Sequence, residues 1–322
     1  MPNNTKRENG QYFTRGNCFK LSPFTEWFRS IPNSNKIILI EPFAGDGSIQ
    51  SLMTDAGYNN KWQLYDLYPQ SPNIVKNDSI ASCPKGKCII TNPPYLARNS
   101  ATRRGLQFPQ TVYDDIYKLT LSKMLDSAPY VAAIIPESFI TSGLFLNRIS
   151  KVISLKLKMF DDTECPVCLA LFSPGNEFKV YSDNDLIGDM TKLRQYLPSP
   201  RTTQQWVFNS KNGDIGLIAV DDTKTNTIRF VRGDTIPSDS VKVSSRAITR
   251  ILSNRHYNTG ALIRKANAIL INFRGDTQDV FLTSFKGIRK DGKYRRRLDY
   301  NLARDILDLA YECLEKPHKR SQ

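Results

Sequence analysis

The chain has 322 residues, of which 40% are hydrophobic, and a formal net charge of +14. This length accommodates two domains with hydrophobic cores. No apolar run reaches the roughly 18 residues of a membrane-spanning helix, and the polar N-terminus lacks a signal-peptide pattern. Six cysteines at irregular spacing do not form a disulfide framework, so we expect a cytoplasmic protein.

The positive charge is concentrated in the second half of the chain. Up to Gly175 there are 19 Lys and Arg residues against 14 Asp and Glu, and beyond it 26 against 17. Such a basic balance is typical of proteins that bind polyanions, and we expect nucleic acid as the partner. An anionic membrane surface would require a basic amphipathic helix with bulky apolar residues opposite the charges, and the sequence has no good candidate.

The first predicted elements are a short helix, Ser22–Ser30, and a buried strand, Ile37–Ile40. The strand leads into Glu41-Pro-Phe-Ala-Gly45-Asp-Gly47, and a helical stretch follows. Glycines one residue apart allow the backbone to approach a ligand closely. The third glycine of the dinucleotide-binding pattern is absent, and an ordinary strand–turn–helix connection would look the same.

Two further short strands each end in an aspartate. Trp62–Tyr65 is followed by Asp66, and Ile74–Val75 is followed closely by Asp78. An acidic side chain at the end of the second strand is where nucleotide-binding folds hold ribose hydroxyls. Asp78 would lie at the same edge and accept a hydrogen bond from an exocyclic amine, although either aspartate could instead cap a helix.

The fourth strand, Cys88–Thr91, ends in Asn92-Pro-Pro-Tyr95. The two prolines make this loop rigid and force Asn92 into an extended conformation. The Asn92 side-chain oxygen and the Pro93 carbonyl could each accept one hydrogen of a planar amine, while Tyr95 stacks on its ring. A proline-rich turn is the alternative. All these candidate residues follow strands, at the sheet edge where open α/β sheets bind ligands.

The remainder of the first half continues the alternation of helix and strand. The polar segment 96–108 reads as a mobile loop near the site, whose Arg98, Arg103 and Arg104 could contact phosphate. The helix and strands predicted after it are Tyr113–Asp126, Tyr130–Ile135, Ile153–Phe160 and Val167–Phe172. This pattern predicts an α/β fold with a doubly wound, mostly parallel sheet.

The alternation of strands and helices stops near 174–177. This change predicts two domains, 1–175 and 176–322, of which the second is a basic mixed α+β domain. Its strongest basic cluster is a predicted loop, because Gly287 and Gly292 interrupt it. The members of this cluster are Lys286, Arg289, Lys290, Lys293, Arg295, Arg296 and Arg297. They could contact DNA phosphates or simply be solvated. The predicted last helix is Leu298–Leu314, with Leu302, Ile306, Leu309 and Cys313 on its apolar face.

Cys165-x-x-Cys168, together with Cys83 and Cys88, could suggest zinc. There is no second C-x-x-C pair, and the chain has only two histidines, so we expect no metal.

The order of these motifs resembles that of S-adenosylmethionine-dependent amino-methyltransferases, and within them the gamma class of DNA adenine-N6 methyltransferases. The similar segments are Gly-Gln-Tyr-Phe-Thr at 10–14, Pro-Phe-Ala-Gly-Asp-Gly at 42–47 and Asn-Pro-Pro-Tyr at 92–95. The resemblance covers about the first half of the chain. It implies a Rossmann-like class I methyltransferase domain followed by a target-recognition domain.

The resemblance also implies roles for individual residues. Those implied to bind the cofactor are Gln11, Tyr12, Phe13, Thr14, Glu41, Gly45, Gly47, Asp66, Asp78 and Asn92. The first four of these would close over the methionine end of S-adenosylmethionine, Asp66 would hold the ribose and Asp78 the cofactor adenine. Asn92, Pro93 and Tyr95 would bind a flipped adenine, with Phe160 on its second face.

The function implied is site-specific methylation of adenine N6 in double-stranded DNA, as part of a restriction–modification system or as an orphan enzyme. Methylation of an RNA base, of cytosine N4 or of a protein glutamine remains an alternative, as does a non-catalytic DNA-binding subunit. Cytosine-C5 transfer is excluded, because it uses a cysteine in a Pro-Cys pair that this chain lacks. We expect a monomer, with any cognate restriction endonuclease encoded separately.

Overall fold

The computed structural model describes residues 12–161, 163–175, 177–254 and 256–315, without the side chain of Lys286. The chain divides into two compact units, 1–190 and 191–322. The sequence placed this boundary at 175, which is 15 residues too early. Pro174 and Gly175 lie in a turn between two strands of the first unit, and the strands that follow extend the same sheet.

The first unit alternates strands and helices. Its strands are β1 (Leu39–Glu41), β2 (Trp62–Asp66), β3 (Ile74–Lys76), β4 (Cys88–Thr91), β5 (Tyr130–Pro136), β6 (Ile149–Ser154), β7 (Val167–Phe172), β8 (Lys179–Ser182) and β9 (Asp185–Asp189). Its helices are α1 (Ser22–Ser30), α2 (Ser48–Asp55), α3 (Arg98–Arg103) and α4 (Ile116–Ser127). The short helix α5 (Met190–Leu193) begins at the last residue of the first unit.

The strands form one mixed sheet with the order β3-β2-β1-β4-β5-β7-β6-β8-β9. Within the group β1 to β5, every pair of adjacent strands is parallel. Strand β7, in contrast, pairs antiparallel with both β5 and β6. Central strands β4 and β7 are buried along their whole length, as their uninterrupted apolar sequences require. The predicted α/β class and the doubly wound order of β1 to β5 are confirmed.

The switch in strand order positions the candidate site. The chain runs from β1 outward to β2 and β3, and then crosses back to β4, which lies directly beside β1. Loops that leave the carboxyl ends of β1 and β4 therefore emerge side by side, with a crevice between them. The Gly45 turn follows β1 and the Asn92 loop follows β4.

The second unit is built from short antiparallel strands and two long helices. Its strands are β10 (Trp206–Phe208), β11 (Ile215–Ile218), β12 (Arg229–Arg232), β13 (Ile248–Ser253), β14 (Thr283–Ile288) and β15 (Tyr294–Arg297). Its helices are α6 (Thr259–Thr277) and α7 (Tyr300–Glu315). The first four strands form a sheet of order β10-β13-β11-β12, and β14 and β15 form a hairpin. Within the described residues, no helix is long and apolar enough to cross a membrane.

Helix α7 matches the predicted last helix, but its buried face is rotated from the predicted one. Leu302 and Ile306 are buried as expected, whereas Leu309 is only partly buried and Cys313 is exposed. The stripe that packs into the core instead continues through Leu307, Ala310 and Tyr311.

A buried ionic cluster holds the β14–β15 hairpin to the rest of the second unit. The carboxylate of Asp221 is fully buried and lies 2.8 Å from guanidinium nitrogens of both Arg274 and Arg289. Arg274 also pairs with Asp279, and Arg289 with Asp291. Each buried charge therefore has a hydrogen-bonded counter-charge, which is the condition for tolerating it in a core.

Candidate active site

A cavity of about 330 Å³ lies at the switch point of the first unit, within the roughly 300–1,000 Å³ typical of small-molecule sites. Its walls come from the N-terminal segment, the loops after β1 to β4 and the start of α4. The lining residues are Tyr12, Phe13, Thr14, Glu41, Phe43, Ala44, Gly45, Asp46, Ser48, Ile49, Asp66, Leu67, Tyr68, Asn77, Asp78, Ser79, Ile80, Asn92, Pro93, Pro94, Leu96, Leu106, Gln107 and Ile116. Most of the predicted cofactor residues thus share one cavity.

The backbone conformation at position 45 and the side chain packed against it both require glycine there. Its φ is +54°, and a Cβ atom on it would lie 2.9 Å from the ring of Phe13. Its N–H donates to Asp66 Oδ2 at 2.8 Å, which ties the turn after β1 to the end of β2. Gly47, also at positive φ, precedes α2 and does not line the cavity.

Asp66 and Asp78 both face the cavity, and both also stabilise local backbone. The second carboxylate oxygen of Asp66 accepts from the N–H of Tyr68 at 2.8 Å. Oδ1 of Asp78 accepts from the N–H groups of Ile80 and Ala81 and so caps a turn, not the start of a helix as weighed from the sequence. Asp78 is exposed and Asp66 is buried. Each carboxylate can accept further hydrogen bonds from a ligand.

Glu41 is the most unusual group of the cavity wall. The residue is 1% exposed, and its Oε2 atom has no hydrogen-bond partner within the described residues. Burial, with a smaller contribution from the nearby carboxylates of Asp46 and Asp66, raises the pKa of Glu41 well above its ordinary value. A buried acid with an unused oxygen beside a cavity is suited to a ligand that carries a positive charge or a donor.

The Asn92 side chain is fixed by hydrogen bonds at both ends. Its Nδ2 donates to the carbonyl of Tyr12 at 2.7 Å and to Oγ1 of Thr14 at 3.2 Å. The Tyr95 hydroxyl lies 2.5 Å from Asn92 Oδ1 and 2.6 Å from the Ile134 carbonyl. Because burial raises the pKa of Tyr95, this hydroxyl keeps its one proton, for which the two oxygens compete as acceptors. The Asn92 oxygen retains one lone pair for another donor.

The two aromatic rings expected to enclose a base are packed together in this structure. Tyr95 and Phe160 are 9% and 1% exposed, with ring centroids 6.4 Å apart in an edge-to-face arrangement. The ring of Tyr12 lies 5.7 Å from each of them. A base does not fit between Tyr95 and Phe160 in this conformation, and neither ring lines the cavity.

The N-terminal segment 12–16 lies against the cavity. Besides the contact of Tyr12 with Asn92, the N–H of Arg15 donates to the Met159 carbonyl at 2.8 Å. The Arg15 guanidinium pairs with Asp46 at 3.0 Å and with Asp161 at 3.4 Å. Gln11, which the resemblance placed in this segment, lies outside the described residues.

Some residues of the site were not predicted from the sequence. Tyr68 is 60% exposed and lines the cavity two residues after Asp66. Arg15 follows the Tyr-Phe-Thr motif directly and connects it to the loops around the cavity. An aromatic side chain next to a candidate ribose ligand, and a cation directly after the motif, would have been usable signals. The role of Leu106 and Gln107 in the lining has no sequence signal that we can identify.

The arginines of segment 96–108 contribute to local structure. This segment was expected to be a loop, but it contains the six-residue helix α3. The Arg98 guanidinium donates to the carbonyls of Thr111 and Tyr113 at 2.5 and 2.6 Å, and so connects the start of α3 to the residues just beyond this segment. Arg103 bonds within α3, and Arg104 is exposed.

The basic cluster of the second half is a hairpin rather than a loop. Gly287 and Gly292 both have positive φ, which allows the bulge and the tight turn between β14 and β15. The side chain of Arg289 is 1% exposed and belongs to the buried ionic cluster. Arg289 therefore does not offer its charge to DNA, which corrects the prediction for that residue.

The other members of this cluster lie closer to the surface. Arg295 donates to the Asp221 carbonyl, and its guanidinium lies over the Phe285 ring. Arg296 donates to Ser284 Oγ. Lys290 and Lys293 are exposed, Arg297 is partly buried, and the side chain of Lys286 is not described.

The cysteines do not form a zinc site in the described part of the chain. No group of three or more His, Cys, Asp or Glu side chains there is arranged to hold a metal ion. Cys168 lies inside buried strand β7, where burial raises the pKa of its thiol.

Neither a family model nor a curated protein matches the sequence. Among solved structures, the chain is similar to the type I restriction-modification methyltransferase subunit from Streptococcus thermophilus, with 13% identity and a TM-score of 0.41 over 59% of this chain and 53% of that one. It is also similar to a putative class I S-adenosylmethionine-dependent methyltransferase from Listeria monocytogenes, with 12% identity and a TM-score of 0.38 over 54% and 67% of the two chains.

A third similar structure is the EcoKI M protein, with 12% identity and a TM-score of 0.34 over 82% of this chain and 70% of that one. This chain spans about half the length of the Streptococcus thermophilus subunit. At such identities and TM-scores these similarities assign no activity to this chain, so a function has to rest on the geometry of its own site.

Proposed function

We propose that the chain is an S-adenosylmethionine-dependent methyltransferase that acts on the N6 amino group of adenine in double-stranded DNA. The observation that carries this proposal is the shared cavity. The Gly45 turn and the Asn-Pro-Pro-Tyr loop lie far apart in sequence, yet they line the same space at the sheet switch point. This shared cavity supports the proposal because it would place a cofactor beside an amine-binding loop.

The residues present fit the proposed cofactor. The unused carboxylate oxygen of Glu41 matches the α-ammonium group of a methionine moiety, and the Gly45 turn admits close approach of a ligand. Asp66 would accept from ribose hydroxyls, and Asp78 from the adenine amine. Segment 12–14 would cover the methionine end. When bound, S-adenosylmethionine supplies an electrophilic methyl group attached to a sulfonium.

The Asn-Pro-Pro-Tyr loop would orient the target amine. An adenine amino nitrogen is a weak nucleophile, because its lone pair is delocalised into the ring. The free lone pair of Asn92 Oδ1 and the Pro93 carbonyl would accept its two hydrogens and favour a pyramidal nitrogen with an available lone pair. The hydrogen bonds that Asn92 donates to Tyr12 and Thr14 and accepts from Tyr95 hold its amide in place beforehand, so catalysis would depend on orientation and preorganisation.

Entry of a base would require the aromatic cluster to open. Tyr12 packs on both Tyr95 and Phe160, so its ring would have to withdraw before a base could contact either of them. Extrusion of a base costs a few kcal/mol. Stacking on an aromatic ring contributes about 1–3 kcal/mol per base and would offset that cost. We therefore propose that this structure corresponds to a closed form of the target-base site.

The nucleic-acid partner is supported by the charge of the second unit, which contains 25 Lys and Arg residues against 13 Asp and Glu. A target-recognition role for that unit is part of the proposal. The expected monomer, the separately encoded nuclease and the cytoplasmic location remain predictions.

The test is to incubate the protein with methyl-labelled S-adenosylmethionine and a mixture of duplex DNA, RNA and protein. Each fraction is then digested and the labelled product is identified by mass. We expect label in DNA, as N6-methyladenine. Label in N4-methylcytosine, in RNA or in glutamine would replace the substrate assignment by the corresponding alternative. Cofactor binding without transfer to any fraction would favour a non-catalytic subunit.

A further inference from the structure

A second cavity, of about 380 Å³, lies within the second unit. It is lined by the segment that precedes β13 and by the junction between β15 and α7. The lining residues used below are Asn209, Arg246, Arg297, Asp299 and Tyr300. None of them belongs to the cofactor cavity of the first unit.

The walls of this cavity are held in place by bonds that do not depend on a ligand. The Tyr300 ring stacks on Phe208 at a centroid distance of 4.4 Å, and its hydroxyl donates to the Ser245 carbonyl at 2.6 Å. Asn209 has a φ of +59° and donates from Nδ2 to the Val243 carbonyl at 2.8 Å. The cavity is therefore preformed.

Two guanidinium groups give the cavity a positive charge. Arg297 Nε is buried and has no hydrogen-bond partner in the part of the chain that is described. Arg246 is exposed at the rim. Both side chains act on the Tyr300 hydroxyl: burial is the largest influence and raises its pKa, while the charges of Arg246 and Arg297 oppose that rise.

The acidic residue of the lining is engaged elsewhere. Asp299 Oδ1 accepts from the N–H groups of Asn301 and Leu302 at 2.9 and 3.0 Å, and so caps the start of α7. The amides at that helix end are thus occupied, and the two arginines remain as the donors for an incoming anion.

We infer that this cavity binds a phosphate group of the DNA backbone through Arg246 and Arg297. Guanidinium groups bind phosphate oxygens with paired, charge-assisted hydrogen bonds, and both of these arginines line the cavity. The site rests on the proposed DNA substrate, and it includes Arg297 of the basic cluster predicted from the sequence. Arg246 was not predicted from the sequence.

The test compares Arg246→Gln, and Arg246→Gln combined with Arg297→Gln, with the matched control Arg229→Gln. Arg229 is an exposed arginine of the same unit, on strand β12, outside the cavity. Fluorescence anisotropy measures the affinity of each full-length variant for labelled duplexes of several sequences at a series of salt concentrations. We expect both cavity variants to bind every duplex more weakly. The slope of log affinity against log salt should fall by about 0.9 for each DNA phosphate that a variant no longer neutralises.

An unchanged affinity and slope in Arg246→Gln, or an equal reduction in Arg229→Gln, would overturn the inference. Calorimetric binding of inorganic phosphate to the wild-type protein, with no change of the DNA salt slope in Arg246→Gln, would assign the cavity to free phosphate and also overturn it. Arg246 is exposed, so Arg246→Gln should fold. If the double variant fails to fold, the single variant decides the result.

The methyl-transfer assay separates this inference from the proposed function. Reduced duplex affinity and slope in Arg246→Gln support the phosphate site even if the wild-type protein transfers no methyl group. Transfer to DNA by the wild-type protein, together with an unchanged slope in Arg246→Gln, rejects the phosphate site alone.

Discussion

Glu41 shows how one buried group can connect ligand binding with stability. Its carboxyl group is almost inaccessible, lies near Asp46 and Asp66, and has an oxygen without a partner in the described residues. Without a cation beside it, the neutral form is favoured, because ionisation would leave a buried and unpaired charge. A ligand ammonium group would reverse that preference.

We predict that Glu41→Gln weakens S-adenosylmethionine binding and stabilises the protein without ligand at neutral pH. Loss of a charged hydrogen bond of about 1.5–3 kcal/mol should lower the affinity roughly ten- to a hundredfold. Folding raises the pKa of Glu41, so the folded protein holds a proton that the unfolded chain releases. The free energy of unfolding should therefore decrease as pH rises above the unfolded pKa, and Glu41→Gln should remove that decrease.

Isothermal titration calorimetry and denaturant unfolding at several pH values measure these two effects. The matched control is Glu26→Gln, because Glu26 is a surface glutamate of the same unit that pairs with Lys151. Equal affinities in wild type and Glu41→Gln would contradict the proposed role of the buried carboxyl group.

Among elements, the N-terminal segment 12–16 depends on its fit to the Gly45 turn. The Phe13 ring packs where a Cβ atom of residue 45 would lie, and the Arg15 ion pairs at its end are partly exposed. Exposed ion pairs contribute little, typically up to about 1 kcal/mol. The segment is thus positioned by the packing of Phe13 and by the hydrogen bonds of Tyr12, Thr14 and the Arg15 N–H, and its ion pairs add little.

We predict that Gly45→Ala and Gly57→Ala have different effects on cofactor affinity. Both glycines have positive φ, so each substitution should cost about 1–2 kcal/mol of stability. Only the alanine at 45 would also displace Phe13, because no atom lies within 4 Å of a Cβ at Gly57. Overpacking of about 1–3 kcal/mol corresponds to a loss of cofactor affinity on the order of tenfold or more.

Equilibrium binding of S-adenosylmethionine, measured beside the thermal unfolding of each variant, checks this prediction. A similar loss of affinity in both variants would mean that backbone strain, and not the Phe13 packing, accounts for the effect.

The elements that the sequence predicted best are those with a local signal. Helix α1 and strands β4 and β7 have the predicted bounds, because their apolar periodicity or uninterrupted apolar runs determine them. Strand β6 begins four residues before the predicted one and ends at Ser154, since the polar residues at its start hid it. Strands β8 and β9 are short and mix polar with apolar residues, so their membership of the first sheet depends on long-range pairing that no local pattern shows.

At the scale of the whole molecule, each unit has its own core and its own chemistry. The candidate active site lies entirely in the first unit, and the buried ionic cluster and the arginine-lined cavity lie in the second. The sequence predicted that the candidate active-site residues lie together, since motifs that follow parallel strands meet at one edge of the sheet. It could not predict that Arg289 is buried, because its partner Asp221 lies 68 residues away along the chain.

We predict that Asp221→Ala destabilises the second unit while leaving S-adenosylmethionine affinity unchanged. Removal of this carboxylate would leave Arg274 and Arg289 buried without their shared counter-charge, at a cost of about 3–5 kcal/mol. Burial alone would raise the pKa of Asp221, but the hydrogen bond and charge of Arg274, with the backbone N–H groups of Thr227 and Ile228, hold it below its ordinary value. Its contribution should therefore be present at neutral pH and disappear as pH falls through that lowered pKa.

This cost is measured by chemical unfolding that is monitored through hydrogen exchange in the second unit. The control is Asp239→Ala, because Asp239 is exposed. A parallel loss of cofactor affinity would show that the two units are not energetically separate.

The most direct measurement of the central claim is single-turnover methyl transfer to duplex DNA by Asn92→Ala at saturating S-adenosylmethionine. Asn99→Ala, which alters an exposed asparagine on α3, is the control. Removal of a preorganised hydrogen-bonding group at a reacting centre typically costs about 10²–10³ in rate, so we expect a loss of that size in Asn92→Ala and a wild-type rate in Asn99→Ala. An Asn92→Ala protein that forms N6-methyladenine at the wild-type rate would contradict the account.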